Sequence, residues 1–172
     1  SNPDQRSTFF THDNERMHPG YYSLRLTDPD VLVELTATKR CAMHRYTFGK
    51  GAKAQLALDL AQCIGWDTPT DCMLSQESPT RLIGYRRSTG WAKDRRIYFA
   101  MDFSRPVHVE RADSMYRALL SFDSSDKPLL VKVALSPVEP DKAKANMKAE
   151  MPGWDFDAAV SKVDDEWNRQ LS

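Results

Sequence analysis

No run of apolar residues in this 172-residue sequence approaches the roughly 20 that a bilayer-spanning helix needs, so no membrane span is expected. Excess charge of one sign is missing as well: 24 Lys and Arg offset 24 Asp and Glu, leaving no global field to favour nucleic acid or an acidic membrane. A local basic run such as Arg86 to Arg96 then reads as the solvated face of a strand pair. Cysteine is scarce. Cys41, Cys63 and Cys72 are odd in number and lack metal-ligand spacing, so buried thiols are the expectation. The N-terminus has no positive region followed by an apolar core, the pattern of an export signal. The opening Ser1-Asn2 reads as a cloning remnant, in which case such a signal has been cut away.

Motifs that carry chemistry are equally thin. There is no GxSxG elbow, no Gly-rich phosphate loop and no Cys beside a recognisable His and Asn motif. The histidines, His12, His18, His44 and His108, show no pairing at zinc-ligand spacing. His12 and His18 enclose Asp13 and Glu15, and a hydrogen-bonded loop is expected there rather than a metal site. His44, beside Arg45, is expected to be a structural polar group at a sheet edge or a satisfied core histidine. Asp13 with Glu15, and Asp94 with Asp102 across a hairpin, are close in sequence. Such closeness means little when 24 acidic residues make many pairs unavoidable.

What the sequence does contain is period-two alternation. Val31, Val33, Leu35 and Ala37 interleave with Leu32, Glu34, Thr36 and Thr38, placing one set on a core face and the other towards solvent or a second surface. Lys39-Arg40 links this run to Met43–Phe48, and an antiparallel hairpin is the economical reading. Pro19-Gly20 punctuates before a further strand from Tyr21, completing a meander. Ala54, Leu56, Leu58 and Leu60 predict another strand; residues 63–78 read as a loop with one short strand near Cys72 to Gln76. Leu82 to Arg87 and Ile97 to Phe103 form the clearest hairpin, with Phe99, Met101 and Phe103 in the core. Pro106 breaks it. Val107–Arg111 and Tyr116–Asp123 offer two short strands. In the closing run Leu129, Val131, Val133 and Leu135 face one way and Lys132 the other.

After Pro137 the period changes. Pro140 and Asp141 open a helix with Ala143, Met147 and Met151 on one side. A second helix starts with Asp155 as N-cap, and Phe156, Ala159, Val160, Val163, Trp167 and Leu171 fall on one stripe. The chain is one domain's worth in length. Eight to ten short strands with turns between them predict a mainly β fold, an antiparallel β-sandwich, with one or two C-terminal helices. The expected organisation is a loose tail over residues 1–8, the sandwich over 9–137 and a helical tail over 138–172.

Separated motifs in one order carry a resemblance: "THDNE", "PGYYSLRL", "VELTATKR" and "HRYTF", then "STGWAKDRRIYFAMDFSRP" and the run from "VALSPVEPDKAKANMKAEMPGWDFD" to the end. From about Phe9 onwards the chain resembles the N-terminal domain of glycoside hydrolase family 92, calcium-dependent exo-acting α-mannosidases. The resemblance implies a galactose-mutarotase-like supersandwich. It further implies a parent enzyme that removes terminal α-mannose from glycans, with α-1,2 the leading linkage, by an inverting mechanism. Export from a bacterium is implied too, which leaves open a disulfide between two of the cysteines. A family segment with a "HLSG" type motif that precedes the position of Thr11, and a helical catalytic domain that follows Leu171, are not in this sequence. The acid, the base and the calcium ligands belong mainly to that catalytic domain, so none is assigned here.

Expected partners are mannose-containing glycans and the C-terminal helical catalytic domain. His12, Asp13 and Glu15 follow the family segment that approaches substrate and are the leading candidates to line the sugar pocket. Trp66 and Trp91 are candidate sugar platforms, or caps on the sandwich core. Trp154 and Trp167 are expected to pack internally or against the absent domain. The alternative functions are a stand-alone carbohydrate-binding sandwich and a purely structural interaction module.

Overall fold

A computed structural model describes residues 10–18, 21–27, 30–59, 68–89, 95–111 and 117–171. Among these lie eleven strands: β1 (Phe10–His18), β2 (Tyr21–Thr27), β3 (Asp30–Ala37), β4 (Cys41–Phe48), β5 (Gln55–Asp59), β6 (Thr68–Ser78), β7 (Arg81–Thr89), β8 (Arg95–Phe103), β9 (His108–Arg111), β10 (Arg117–Ser121) and β11 (Leu129–Ser136). Two helices follow, α1 (Pro140–Glu150) and α2 (Phe156–Leu171). The strands form an eight-stranded sheet ordered β1-β2-β3-β4-β11-β8-β7-β6 and a three-stranded sheet ordered β5-β10-β9. Every strand pair is antiparallel.

The small sheet packs on one face of the large one. Leu56, Leu58, Ala118, Leu120 and Val109 meet Leu74, Leu82, Phe99, Met101, Phe103, Leu129 and Val131. Phe103 is 1% exposed, and burying such a ring is worth about 2–3 kcal/mol. The helices cover the other face, where Ala143, Met147, Met151 and Phe156 pack on Cys41, Met43, Ala100 and Ala134. The result is three layers, sheet, sheet and helix pair, with the large sheet in the middle.

That arrangement accounts for the departures from the sequence reading. Both faces of β11 are covered, so Lys132 is buried, while Leu135, at 47%, is exposed beyond the reach of the small sheet. On β3 the polar set is the better buried: Glu34 and Thr36 lie under the helices, whereas Val33 and Leu35 are half-buried and Ala37 exposed. The second surface on that side is helical. Residues 10–18 form an edge strand where a loop is expected. The loop expected over 63–78 is, within its described part, the eleven-residue strand β6, whose mixed polarity suits the edge of a sheet.

Elsewhere local patterning prevails. Pro140 sits in the first turn of α1, where its missing N–H leaves no bond unmade. The Asp155 carboxylate accepts the Ala158 N–H at 3.0 Å, the N-cap geometry that stabilises a helix start by about 1 kcal/mol. Gly84 is required for closeness: a Cβ there would run into the Met73 carbonyl and the Phe99 ring.

Candidate functional site

β1 carries His12, Asp13 and Glu15. It is an edge strand, and its ladder with β2 is irregular: Phe10 pairs with Leu26 and Glu15 with Leu24, so five steps along β1 match two along β2. His12 and Asp13 fall inside this bulge, and Glu15 is where regular pairing resumes. Bulges at sheet edges end pairing with other strands and re-aim side chains, and they are common beside binding sites.

Trp66 and Trp91 lie outside the described residues. The connection bearing Trp91 leaves the sheet at Thr89 and returns at Arg95; the one bearing Trp66 enters at Thr68, which pairs with Thr89. Both anchors belong to the β6 end of the large sheet, and β1 is its other edge. Seven inter-strand steps of about 4.8 Å separate these edges by roughly 34 Å measured along the sheet. His12, Asp13 and Glu15 are therefore not neighbours of those two anchors within the sheet.

One polar constellation among the described residues was not singled out from the sequence. Glu34 and Arg45 face each other across the β3–β4 ladder. Arg45 Nε and Nη2 donate to the two Glu34 carboxylate oxygens at 2.8 Å each, a bidentate pairing that fixes the planes of both groups. Tyr21 Oη donates to Glu34 Oε2 at 2.9 Å. Arg45 also reaches Asp157 at 3.3 Å and lies 4.4 Å over the Phe156 ring. The Arg45 guanidinium holds the Glu34 carboxyl below its ordinary value, against the opposing effect of burial. The constellation ties the first turn of α2 to the sheet. One signal for it is present in the sequence: a tight link at residues 39–40 puts 34 opposite 45.

Two further contacts hold the helical corner. Lys132 Nζ donates to the carbonyls of Met151 at 3.2 Å and Gly153 at 3.4 Å, and sits 4.2 Å over the Trp154 ring. Glu150 accepts from the Thr38 hydroxyl at 2.5 Å, the Arg40 amide at 3.1 Å and Arg40 Nε at 3.0 Å.

Beside this corner opens a groove of about 560 Å³, walled by Arg45, Arg105, Trp154, Asp155, Phe156 and Asp157 among others. Arg105 Nη1 donates to the Lys127 carbonyl at 3.0 Å, but its Nε and Nη2 are buried without a hydrogen-bond partner. Unmet buried donors cost about 1–3 kcal/mol, more when charged. Burial pushes the Arg105 guanidinium below its ordinary value.

Asp102 is fully engaged by Arg81, whose Nε and Nη2 approach it at 2.6 and 2.8 Å; Asp94 lies outside the described residues. No three His, Cys, Asp or Glu side chains converge to hold a metal ion among the described residues. Cys41 is a buried free thiol, and burial pushes it up to about 11.

The fold is an antiparallel sandwich of two sheets with two helices on the outer face of the larger one. The chain belongs to the glycosyl hydrolase family 92 N-terminal domain family, whose profile matches residues 1–136. Among solved structures it resembles the family GH92 α-mannosidase BT3965 from Bacteroides thetaiotaomicron, with 27% identity and a TM-score of 0.82 over 94% of this chain and 25% of that one. The complex of that mannosidase with mannoimidazole matches with 27% identity and a TM-score of 0.81, over 94% of this chain and 24% of that one. The GH92 inverting mannosidase BT2199 from Bacteroides thetaiotaomicron VPI-5482 shares the fold at 22% identity and a TM-score of 0.75, over 93% of this chain and 23% of that one. The chain thus spans about a quarter of the length of these mannosidases. No curated protein matches the sequence.

Proposed function

We propose that this chain is the non-catalytic N-terminal part of an exo-acting α-mannosidase. The intact enzyme removes terminal α-mannose from glycans, α-1,2 linkages first among them, by an inverting reaction. The reading rests on the match of residues 1–136 to this N-terminal domain in proteins about four times as long. The acid and base of an inverting enzyme stand roughly 6.5–9.5 Å apart to admit a water, and both come from polypeptide outside this chain. So does the calcium site. The bulged β1 edge, with His12, Asp13 and Glu15, contributes a wall of the sugar pocket.

The domain's mechanical role is to hold its catalytic partner in place. α2 packs on β3 and β4 through Phe156, which is buried, while Trp167 at 46% and Leu171 at 70% are exposed. An apolar stripe continuing past its own domain fits a surface that the catalytic domain covers. Misplacement of reacting groups by about 1 Å can cost on the order of 100-fold in rate, which is the reason for a stiff support. The enzyme is exported. Among the described residues no helix is long and apolar enough to cross a membrane.

The test is to express the intact gene and measure mannose release from mannobiosides of each α linkage, with and without a calcium chelator, following the anomer released by NMR. Release of β-mannose that stops on calcium removal is expected. Full activity after thorough calcium removal overturns the calcium requirement, and hydrolysis by the 172-residue chain alone overturns the non-catalytic role.

A further inference from the structure

The groove at the α1–α2 corner has the chemistry of a small-molecule site that the buttressing role does not use. Its volume of about 560 Å³ lies within the range that encloses one sugar-sized ligand. One wall is apolar: Trp154, 38% exposed, with Pro128, Leu130 and Phe156. Polar groups of both kinds converge from the other sides. Arg105 supplies a donor: Nη1 gives one hydrogen to the Lys127 carbonyl at 3.0 Å and keeps a second, while Nε and Nη2 are buried behind it. Asp155 and Asp157 supply acceptors: Asp155 Oδ1 caps the helix at Ala158 and Asp157 Oδ1 meets Arg45, leaving the second oxygen of each carboxylate for a ligand.

This composition selects among ligand classes. Asp155 and Asp157 oppose an anion, while Arg105 and Lys127 oppose a metal ion or an organic cation; Arg45, also in the wall, is already paired with Glu34. Vicinal hydroxyls, which donate and accept at once, suit a wall of donors facing a wall of acceptors, and the less polar face of a pyranose suits an indole ring.

We propose that this groove is a saccharide site that takes one neutral hexose, with Trp154 as its platform and Arg105 and Asp157 as its polar contacts. It serves to hold a glycan on the surface of this domain. The choice of a mannoside as first probe rests on the α-mannosidase reading; the shape and polarity of the groove do not.

The experiment is an NMR titration of the 172-residue chain with methyl α-mannoside, then methyl α-glucoside and sodium sulfate, following the Trp154 indole N–H, assigned by its loss in Trp154→Phe. A saturable shift with either hexoside is expected, with a Kd on the order of 1–10 mM. Arg105→Ala and Asp157→Asn, each confirmed as folded by circular dichroism, are expected to weaken binding by about tenfold. Asp157 is 80% exposed at its side chain, so its variant stays informative even where Arg105→Ala unfolds. The proposal is overturned by three results: no saturable shift of Trp154, a shift with sulfate but neither hexoside, or hexoside affinity unchanged in Asp157→Asn and in every folded Arg105→Ala sample. Mannose release by the intact enzyme is scored separately. Its failure with groove binding intact counts against the parent activity alone.

Discussion

Arg45 grips Glu34 through two parallel hydrogen bonds of 2.8 Å and lies 4.4 Å over the Phe156 ring, so one side chain ties the middle of the sheet to the first turn of α2. Glu34 is 7% exposed. Removing one member of such a pair strands the other's charge, which decides the sign of the effect. Glu34→Ala is expected to destabilise the chain by about 3 kcal/mol, read from the midpoint of urea unfolding. A midpoint shifted by less than a third of that shows that Asp157 and solvent suffice for Arg45.

Acid sensitivity should begin well above the carboxylate range. Burial pushes the His44 imidazole down to about 4, so the folded state prefers the neutral ring while the unfolded chain takes up a proton below about pH 6.5. Stability contributed by this difference is complete above about pH 6.5, declines as the pH falls towards about 4, and is then level. Its full loss stays at or below about 3 kcal/mol, because the ring keeps partial contact with the surface. His44→Asn is expected to flatten the stability profile in that window; an unchanged slope assigns it to other groups. A second decline belongs to Glu34 and Glu150. Arg45 depresses the first; for the second, burial acts upward but the bonds from Thr38 and Arg40 outweigh it. Their contribution is complete above the ordinary value of 4.5 and is lost as the pH falls through their lower folded values.

Gly84 stands between Leu74 and Phe99 in the ladder, and an added methyl would meet backbone on one side and a core ring on the other. Neither neighbour can step aside cheaply. Gly84→Ala is expected to cost about 3 kcal/mol, seen as a lower melting temperature of the isolated chain. A variant as stable as the parent would mean that β6, at the sheet edge, shifts to make room.

Exposed apolar side chains on α2 separate a domain contact from ordinary surface. Trp167→Ser with Leu171→Ser is expected to change the stability of the 172-residue chain by no more than about 0.5 kcal/mol, yet to lower the unfolding temperature and the mannose release of the intact enzyme. Equal behaviour of the intact variant and its parent in both measurements removes the proposed catalytic-domain contact.

The sequence by itself determined the local structure. Alternation sets a strand, a two-residue link sets the β3–β4 register, and Pro140 and Asp155 set where the helices begin, because each depends on residues within a few positions of one another. The family motifs are local strings too, so the family was legible along with the mainly β architecture. What only the tertiary structure decided was which face of each strand is covered. Lys132 is buried because α1 and α2 return to the far side of β11, Leu135 is exposed because the small sheet stops short of it, and β1 and β6 become opposite edges through pairings between distant segments. Period two says that a strand has two faces. It does not say what will lie on them, since that depends on contacts a hundred residues apart, such as Glu150 with Thr38 and Arg40.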